Sequence, residues 1–147
     1  MDAEETVVKR DIWIAAPRER VWGAITNAET IMQWWGDTWI IPKLEVGGGI
    51  KFGRPGSMIQ ATIAVLDPPR QFSIHWPPQP NYQAENAYTI FDLAEENGGT
   101  RVTVSETGYE ALSGAERQER LNRTGSGYTM VLANLKSYVE SHIQDVS

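Results

Sequence analysis

A chain of 147 residues holds material for one ordinary domain, and no cysteine occurs in it, which excludes a disulfide scaffold, a thiol nucleophile and thiolate metal sites. Apolar residues at 41% and charged residues at 22% sit in the soluble globular range, and two histidines, His75 and His142, are too few for a histidine-rich metal centre. The net charge of −6 without any Lys/Arg cluster argues against a nucleic-acid partner, and the lack of a long apolar run, with an acidic Met1–Thr6, argues against membrane insertion or a signal peptide. The expectation is a soluble cytoplasmic protein, a single domain over residues 1–147, with no metal and no cofactor.

In chain order, Thr6–Ile14 places Val8, Ile12 and Ile14 in period two and reads as a first strand. Pro17 suits the start of a helix, and Arg18–Ile25 carries the one-sided stripe Val21, Trp22 and Ile25. Thr26-Asn27-Ala28-Glu29 has the form of a capping box with Thr26 as cap, opening a second short helix over Ala28–Trp35. Extended structure follows. Strands are expected at Trp39–Val46, Ile50–Gly53, Ser57–Leu66, Gln71–Trp76, Ala84–Glu95 and Thr100–Thr107. Between them stand turns at Gly47-Gly48-Gly49, Arg54-Pro55-Gly56, Asp67-Pro68-Pro69, Pro77–Pro80 and Asn97-Gly98-Gly99.

The chain then turns helical. Ser113-Gly114-Ala115-Glu116 is another capping box. Tyr128, Val131, Leu132, Leu135, Tyr138 and Val139 fall on one helix face, with Gly125 and Gly127 marking its start or a break before it. Strands joined by hairpins make an antiparallel sheet, and one long amphipathic helix supplies the face that covers it. This is an α+β layer fold. A single helix covers only part of about seven strands, which leaves room for an apolar cavity between helix and sheet.

Six tryptophans are present, at positions 13, 22, 34, 35, 39 and 76. They read either as an aromatic core or as the lining of a pocket. Trp34 and Trp35 diverge by about 100° on a helix, so both cannot point the same way. The glycines at 47–49, 53 and 56 precede extended residues and match neither phosphate-loop pattern, so they read as turn glycines. His75 has the opposite parity from Phe72, Ile74 and Trp76 and is expected to face outward; His142 suits the end of the last helix. Glu106 shares parity with the inward Val102 and Val104. Either strand alternation fails there, where Gly108 permits a bulge, or Glu106 is a polar anchor in the cavity, with Arg10 as a candidate partner.

These segments together resemble a known superfamily. Ala16-Pro17-Arg18-Glu19-Arg20-Val21-Trp22, Thr26-Asn27-Ala28-Glu29 and Trp34-Trp35-Gly36 resemble the opening of the SRPBCC (START-like, helix-grip) superfamily. Within it they are similar to the subfamily named for the activator of the ninety-kilodalton heat-shock chaperone ATPase. Asp67-Pro68-Pro69-Arg70, Gly98-Gly99-Thr100-Arg101-Val102, Gly108-Tyr109, and Gly127-Tyr128 through Leu132 and Leu135 continue the match in order, from about Val7 to Glu140. The family usually has Gly-Trp where Gly127-Tyr128 stands. The resemblance implies a helix-grip fold: a curved antiparallel sheet of six to seven strands wrapped around a long C-terminal helix, two short helices after the first strand, and an internal cavity. The fold hosts lipid carriers, polyketide cyclases and chaperone activators, so it does not fix the function. The eukaryotic activator also carries an N-terminal chaperone-binding domain, whereas this sequence opens on the first strand, so chaperone activation is not the leading expectation.

Three functions follow in order of preference. The first is a small-molecule binding protein without catalytic residues. It would hold an apolar or amphipathic ligand with Trp35, Met58, Trp76, Phe91, Glu106, Tyr128 and Leu132, as a monomer or homodimer. The second is a cyclase or hydratase with Glu106 as general base. The third is a chaperone-associated or stress-response protein with a chaperone as partner, acting through an exposed apolar surface.

Overall fold

The computed structural model describes residues 6–78, 87–109, 112 and 114–141. The elements are β1 (Val8–Ile14), α1 (Arg18–Thr26), α2 (Ala28–Trp34), β2 (Thr38–Ile40), β3 (Gly49–Arg54), β4 (Ser57–Asp67), β5 (Gln71–Trp76), β6 (Ala87–Glu96), β7 (Gly99–Glu106) and α3 (Gly114–Ser141). Seven antiparallel strands form one curled sheet in the order β1-β7-β6-β5-β4-β3-β2. Strands β2 to β7 are a meander; β1 joins the far margin, and α1 and α2 carry the chain from one margin to the other. The fold is the α+β helix-grip arrangement expected from the sequence.

The turns follow from residue chemistry. Asn97 (φ 50°) and Gly98 (φ 80°) both adopt the left-handed backbone that a two-residue hairpin loop requires between twisted strands. After β4, the Arg70 N–H donates to the Asp67 carbonyl at 2.7 Å around a cis Pro68–Pro69 bond. A bulge between Ile63 and Val65 shifts the β4–β5 register.

Several boundaries depart from the sequence reading. Asn27, not Thr26, caps α2: its Oδ1 accepts from the Thr30 N–H at 3.0 Å, while the Thr26 hydroxyl donates back to the Trp22 carbonyl at 2.8 Å. The strand expected over Trp39–Val46 stops at Ile40, because Pro42 lacks an N–H and the Gly48 N–H turns back to the Glu45 carbonyl at 2.9 Å. Gly125 and Gly127 neither start nor break a helix; both lie inside α3, whose buried stripe begins earlier, at Leu121. Ala84–Asn86, Gln79 and Pro80, Ser113 and His142, which figured in the sequence reading, lie outside the described residues.

The core lies between the inner face of the sheet and α3. Leu121, Gly125, Tyr128, Leu132, Leu135 and Val139 follow a 4-3-4-3-4 spacing and are buried, as are Ile14, Ile63, Phe72, Ile74, Phe91, Val102 and Val104 from the strands. The helix packs chiefly along β1 and against α1 and α2. Its C-terminal half is tied there by polar contacts. Lys136 Nζ donates to the Trp13 carbonyl at 2.8 Å and to Glu140 at 2.7 Å, and the Ala15 N–H donates to Glu140 at 2.9 Å. Lys136 first, and then the Ala15 N–H, hold the Glu140 carboxyl below its usual range. The strands on the other side, β3 to β5, are left partly uncovered opposite the N-terminal half of α3.

Candidate functional site

The uncovered part of the sheet forms a cavity of about 250 Å³. Three elements build its walls. The helix contributes Arg120, Thr124 and Tyr128 at successive i+4 positions of one face. The sheet contributes Phe52 and Ile59, directly opposite each other in the β3–β4 hairpin, with Trp76 and Ala87, paired across β5 and β6. Trp35 enters from the end of α2.

Trp35 is the hub of the aromatic wall. Its ring centroid lies 4.9 Å from Trp39, 6.0 Å from Phe52, 6.3 Å from Phe91 and 6.0 Å from Tyr128. Phe52 continues the wall to Trp76 at 5.5 Å. Trp34 packs against the Trp35 ring at 5.5 Å but does not line the cavity: it is buried, and its indole N–H donates to the Ala24 carbonyl at 3.0 Å. The 100° divergence of neighbouring helical residues thus sends one indole into the core and the other to the cavity.

One side of the cavity is polar, and Glu106 is its centre. Tyr128 donates to Glu106 Oε1 at 2.5 Å, Thr89 donates to the same oxygen at 2.9 Å, and Tyr109 donates to Oε2 at 2.7 Å. The Trp76 indole N–H donates to the Thr89 hydroxyl at 2.8 Å, which orients the Thr89 proton toward the carboxylate. Donors from β6, α3 and the segment after β7 therefore converge on one carboxylate, with Trp76 of β5 behind Thr89. Burial, followed by the neighbouring Glu106 carboxylate, pushes the Tyr128 phenol well above its ordinary range, so Tyr128 stays protonated as a donor.

Strand alternation holds to the end of β7, so Glu106 faces inward with Val102 and Val104. The expected partner Arg10 is not beside it. Arg10 stands opposite Val104, lies against α3 at Gly125 and donates to the Lys9 carbonyl at 2.8 Å; Val8 is the residue opposite Glu106. Hydroxyls, not a guanidinium, hold the carboxylate.

Of the expected ligand-binding residues, Trp35, Trp76, Glu106 and Tyr128 line this one cavity. Phe91 and Leu132 are buried behind the wall at 1% exposure each and do not line it. Met58 is displaced by one position: Ile59 pairs with the cavity-lining Phe52, which puts Met58 on the opposite face of β4. Sequence reasoning missed Thr89, Tyr109, Phe52, Ile59, Arg120 and Thr124. Thr89 did carry a signal, as a hydroxyl on the inward parity of β6 between Ala87 and Phe91. His75 faces away from the cavity and pairs with the Tyr88 ring at 4.8 Å. Among the described residues, no group of three or more His, Cys, Asp or Glu side chains is placed to hold a metal ion, and no helix is long and apolar enough to cross a membrane.

A curled antiparallel sheet around a long terminal helix, with a cavity between them, defines a helix-grip protein of the SRPBCC class. The family described as "Activator of Hsp90 ATPase homolog 1-like protein" matches residues 15–140, and the chain belongs to that family. Solved structures agree in fold. Protein MLL2253 from Mesorhizobium loti superposes with a TM-score of 0.77 at 16% identity, covering 92% of this chain and 97% of that one. The Aha1 dimer from Colwellia psychrerythraea gives 0.75 at 20% identity, covering 92% and 97%. DynU16, a protein in the dynemicin biosynthetic locus, gives 0.77 at 18% identity; this chain is covered over 93% but spans 48% of DynU16. No curated protein matches this chain.

Proposed function

We propose that the protein binds a small apolar or amphipathic molecule in the cavity between α3 and strands β3 to β6. The observation that carries this reading is the cavity's composition: about 250 Å³ walled by Trp35, Phe52, Ile59 and Trp76, with polar groups concentrated around Glu106. Ligand sites are typically concave, mostly apolar and furnished with a few convergent polar groups. An apolar cavity of about 150 Å³ takes up benzene in another protein, so the size here admits a somewhat larger aromatic body. N-phenyl-1-naphthylamine, a neutral probe that brightens in apolar surroundings, should bind saturably. Thr124 faces the cavity from a helix and forms none of the bonds to Glu106. Thr124→Trp takes up a large part of the space, so it should strongly weaken the response while leaving the fold intact. An undiminished response in that variant would place binding elsewhere.

The enzyme reading has one observation in its favour: a carboxylate and two phenols, Tyr109 and Tyr128, meet at the cavity wall. Three donors already occupy Glu106, leaving about one of its four lone-pair positions for a substrate proton. If Glu106 is a general base, Glu106→Gln should abolish any turnover found by screening.

The surface reading rests on the β2 margin, where Ile40, Leu44 and Val46 are exposed. The Colwellia psychrerythraea relative is described as a dimer. Light scattering of the purified protein distinguishes monomer from homodimer, and co-purification with a chaperone tests the remaining partner.

A further inference from the structure

The polar side of the cavity has a definite sign. Glu106 accepts from three neutral hydroxyls, and no cation among the described residues lies within ion-pair distance of it. The hydroxyls satisfy its lone pairs but do not neutralise its charge. A partly buried carboxylate in this position repels an anion and attracts a cation that replaces lost solvent.

The walls beside it have matching electrostatics. Trp35 and Phe52 meet at an interplanar angle of 67°, Phe52 and Trp76 at 59°, and Trp35 and Tyr128 at 77°. Trp35 meets Phe52 and Tyr128 edge to face, all of these rings line the cavity together with Trp76, and the π-face of an aromatic ring is its negative side. Among the described residues the one lining cation is Arg120, which stands eight residues before Tyr128 on α3, about 12 Å along the helix axis from the residue that touches Glu106.

We propose that the cavity selects organic cations: ligands whose ammonium group sits among Trp35, Phe52 and Trp76, close to Glu106, with an apolar or aromatic body filling the rest. The inference rests on the binding function proposed above and narrows it to a chemical class. A quaternary ammonium is the most telling member. It makes no hydrogen bond, so the full complement of hydroxyls on Glu106 is no obstacle, and it gains from both the charge and the ring faces.

Three probes of nearly one shape isolate the sign of the charge: phenyltrimethylammonium, the neutral tert-butylbenzene and the anionic benzenesulfonate. Binding is followed by tryptophan fluorescence in phosphate buffer, which holds no competing amine. The cation should bind about tenfold or more tighter than the neutral probe, and the anion weakest. Glu106→Gln should reduce the cation's advantage while keeping tert-butylbenzene affinity. Trp76→Leu, which keeps the carboxylate, should weaken the cation more than the neutral probe. Should Glu106→Gln fail to fold, the ranking on the parent protein and on Trp76→Leu still decides. Equal affinity for cation and neutral probe overturns the cation assignment and leaves the binding function standing. Failure of all three probes, together with failure of N-phenyl-1-naphthylamine, overturns both.

Discussion

Replacing Tyr128 with Phe removes one hydroxyl and preserves the shape of a side chain that is 6% exposed. Little cavity is created, so the loss reports on the hydroxyl's own contacts, 2.5 Å to Glu106 and 3.0 Å to the Thr89 hydroxyl. A hydrogen bond to a charged group contributes about 1.5–3 kcal/mol, and Glu106 keeps its bonds from Thr89 and Tyr109. The expected loss in urea unfolding at pH 7, followed by far-UV circular dichroism, is about 2 kcal/mol. A second signature appears in alkali. The Tyr128 pKa is raised in the folded state, so its proton is retained there after the unfolded chain begins to lose it. The unfolded state then binds fewer protons, and stability falls as pH rises. The contribution is fully present below the unfolded value of about 10 and is lost upward from there toward the folded value, with a limiting slope of about 1.4 kcal/mol per pH unit. Tyr128→Phe should therefore show a shallower decline between about pH 10 and 11 than the parent. Parallel declines, or a variant as stable as the parent at pH 7, would refute the protonated donor.

Other substitutions test the helix and its cap. Gly127 lies inside α3 with open space where a Cβ would stand, so Gly127→Ala should stabilise the protein by about 0.5–1 kcal/mol in thermal or urea unfolding. Leu135 is fully buried, and Leu135→Ala should cost about 2–5 kcal/mol, while the exposed Asn134 tolerates alanine within about 0.5 kcal/mol by the same urea titration. Asn27→Ala removes the α2 cap and should cost about 1 kcal/mol in unfolding experiments, with Glu29→Ala much less damaging.

The fold was legible where periodicity acts on long elements. Ala87, Thr89, Phe91 and Leu93 share one face of β6 because alternation has no interruption there, and the α3 stripe repeats over enough turns to identify itself. Glu106 could be oriented by parity alone, since β7 runs straight to its end. What escaped was pairing between distant segments. Arg10 and Glu106 share an inward parity, yet the β1–β7 register sets Arg10 opposite Val104, and no local pattern encodes that offset. Met58 was misplaced because β4 mixes apolar residues on both faces and carries a bulge, so its parity is fixed only by pairing with β3. Lys136 reads as a solvent-facing neighbour of Leu135; its bond to the Trp13 carbonyl depends on β1 lying alongside α3, whereas its pairing with Glu140 is an i, i+4 contact within the helix.

The strand order also shapes how the molecule can assemble. The meander from β2 to β7 is a run of antiparallel neighbours, each pair brought together by a connection much shorter than the chain. Pairing of β1 is different in kind. Val8 meets Glu106, and the Trp13 carbonyl and Ala15 N–H meet Lys136 and Glu140, contacts 98, 123 and 125 residues apart in sequence. Such contacts close the largest loops in the chain and gain their stabilisation late, because loop closure costs entropy that grows with length. On a ribosome β1 must wait for its partners, since its margin is completed only when β7 and the last turns of α3 have followed. Until then β1, α1 and α2 expose apolar surface, including Val8, Ile14, Val21 and Ile25, that the finished protein hides.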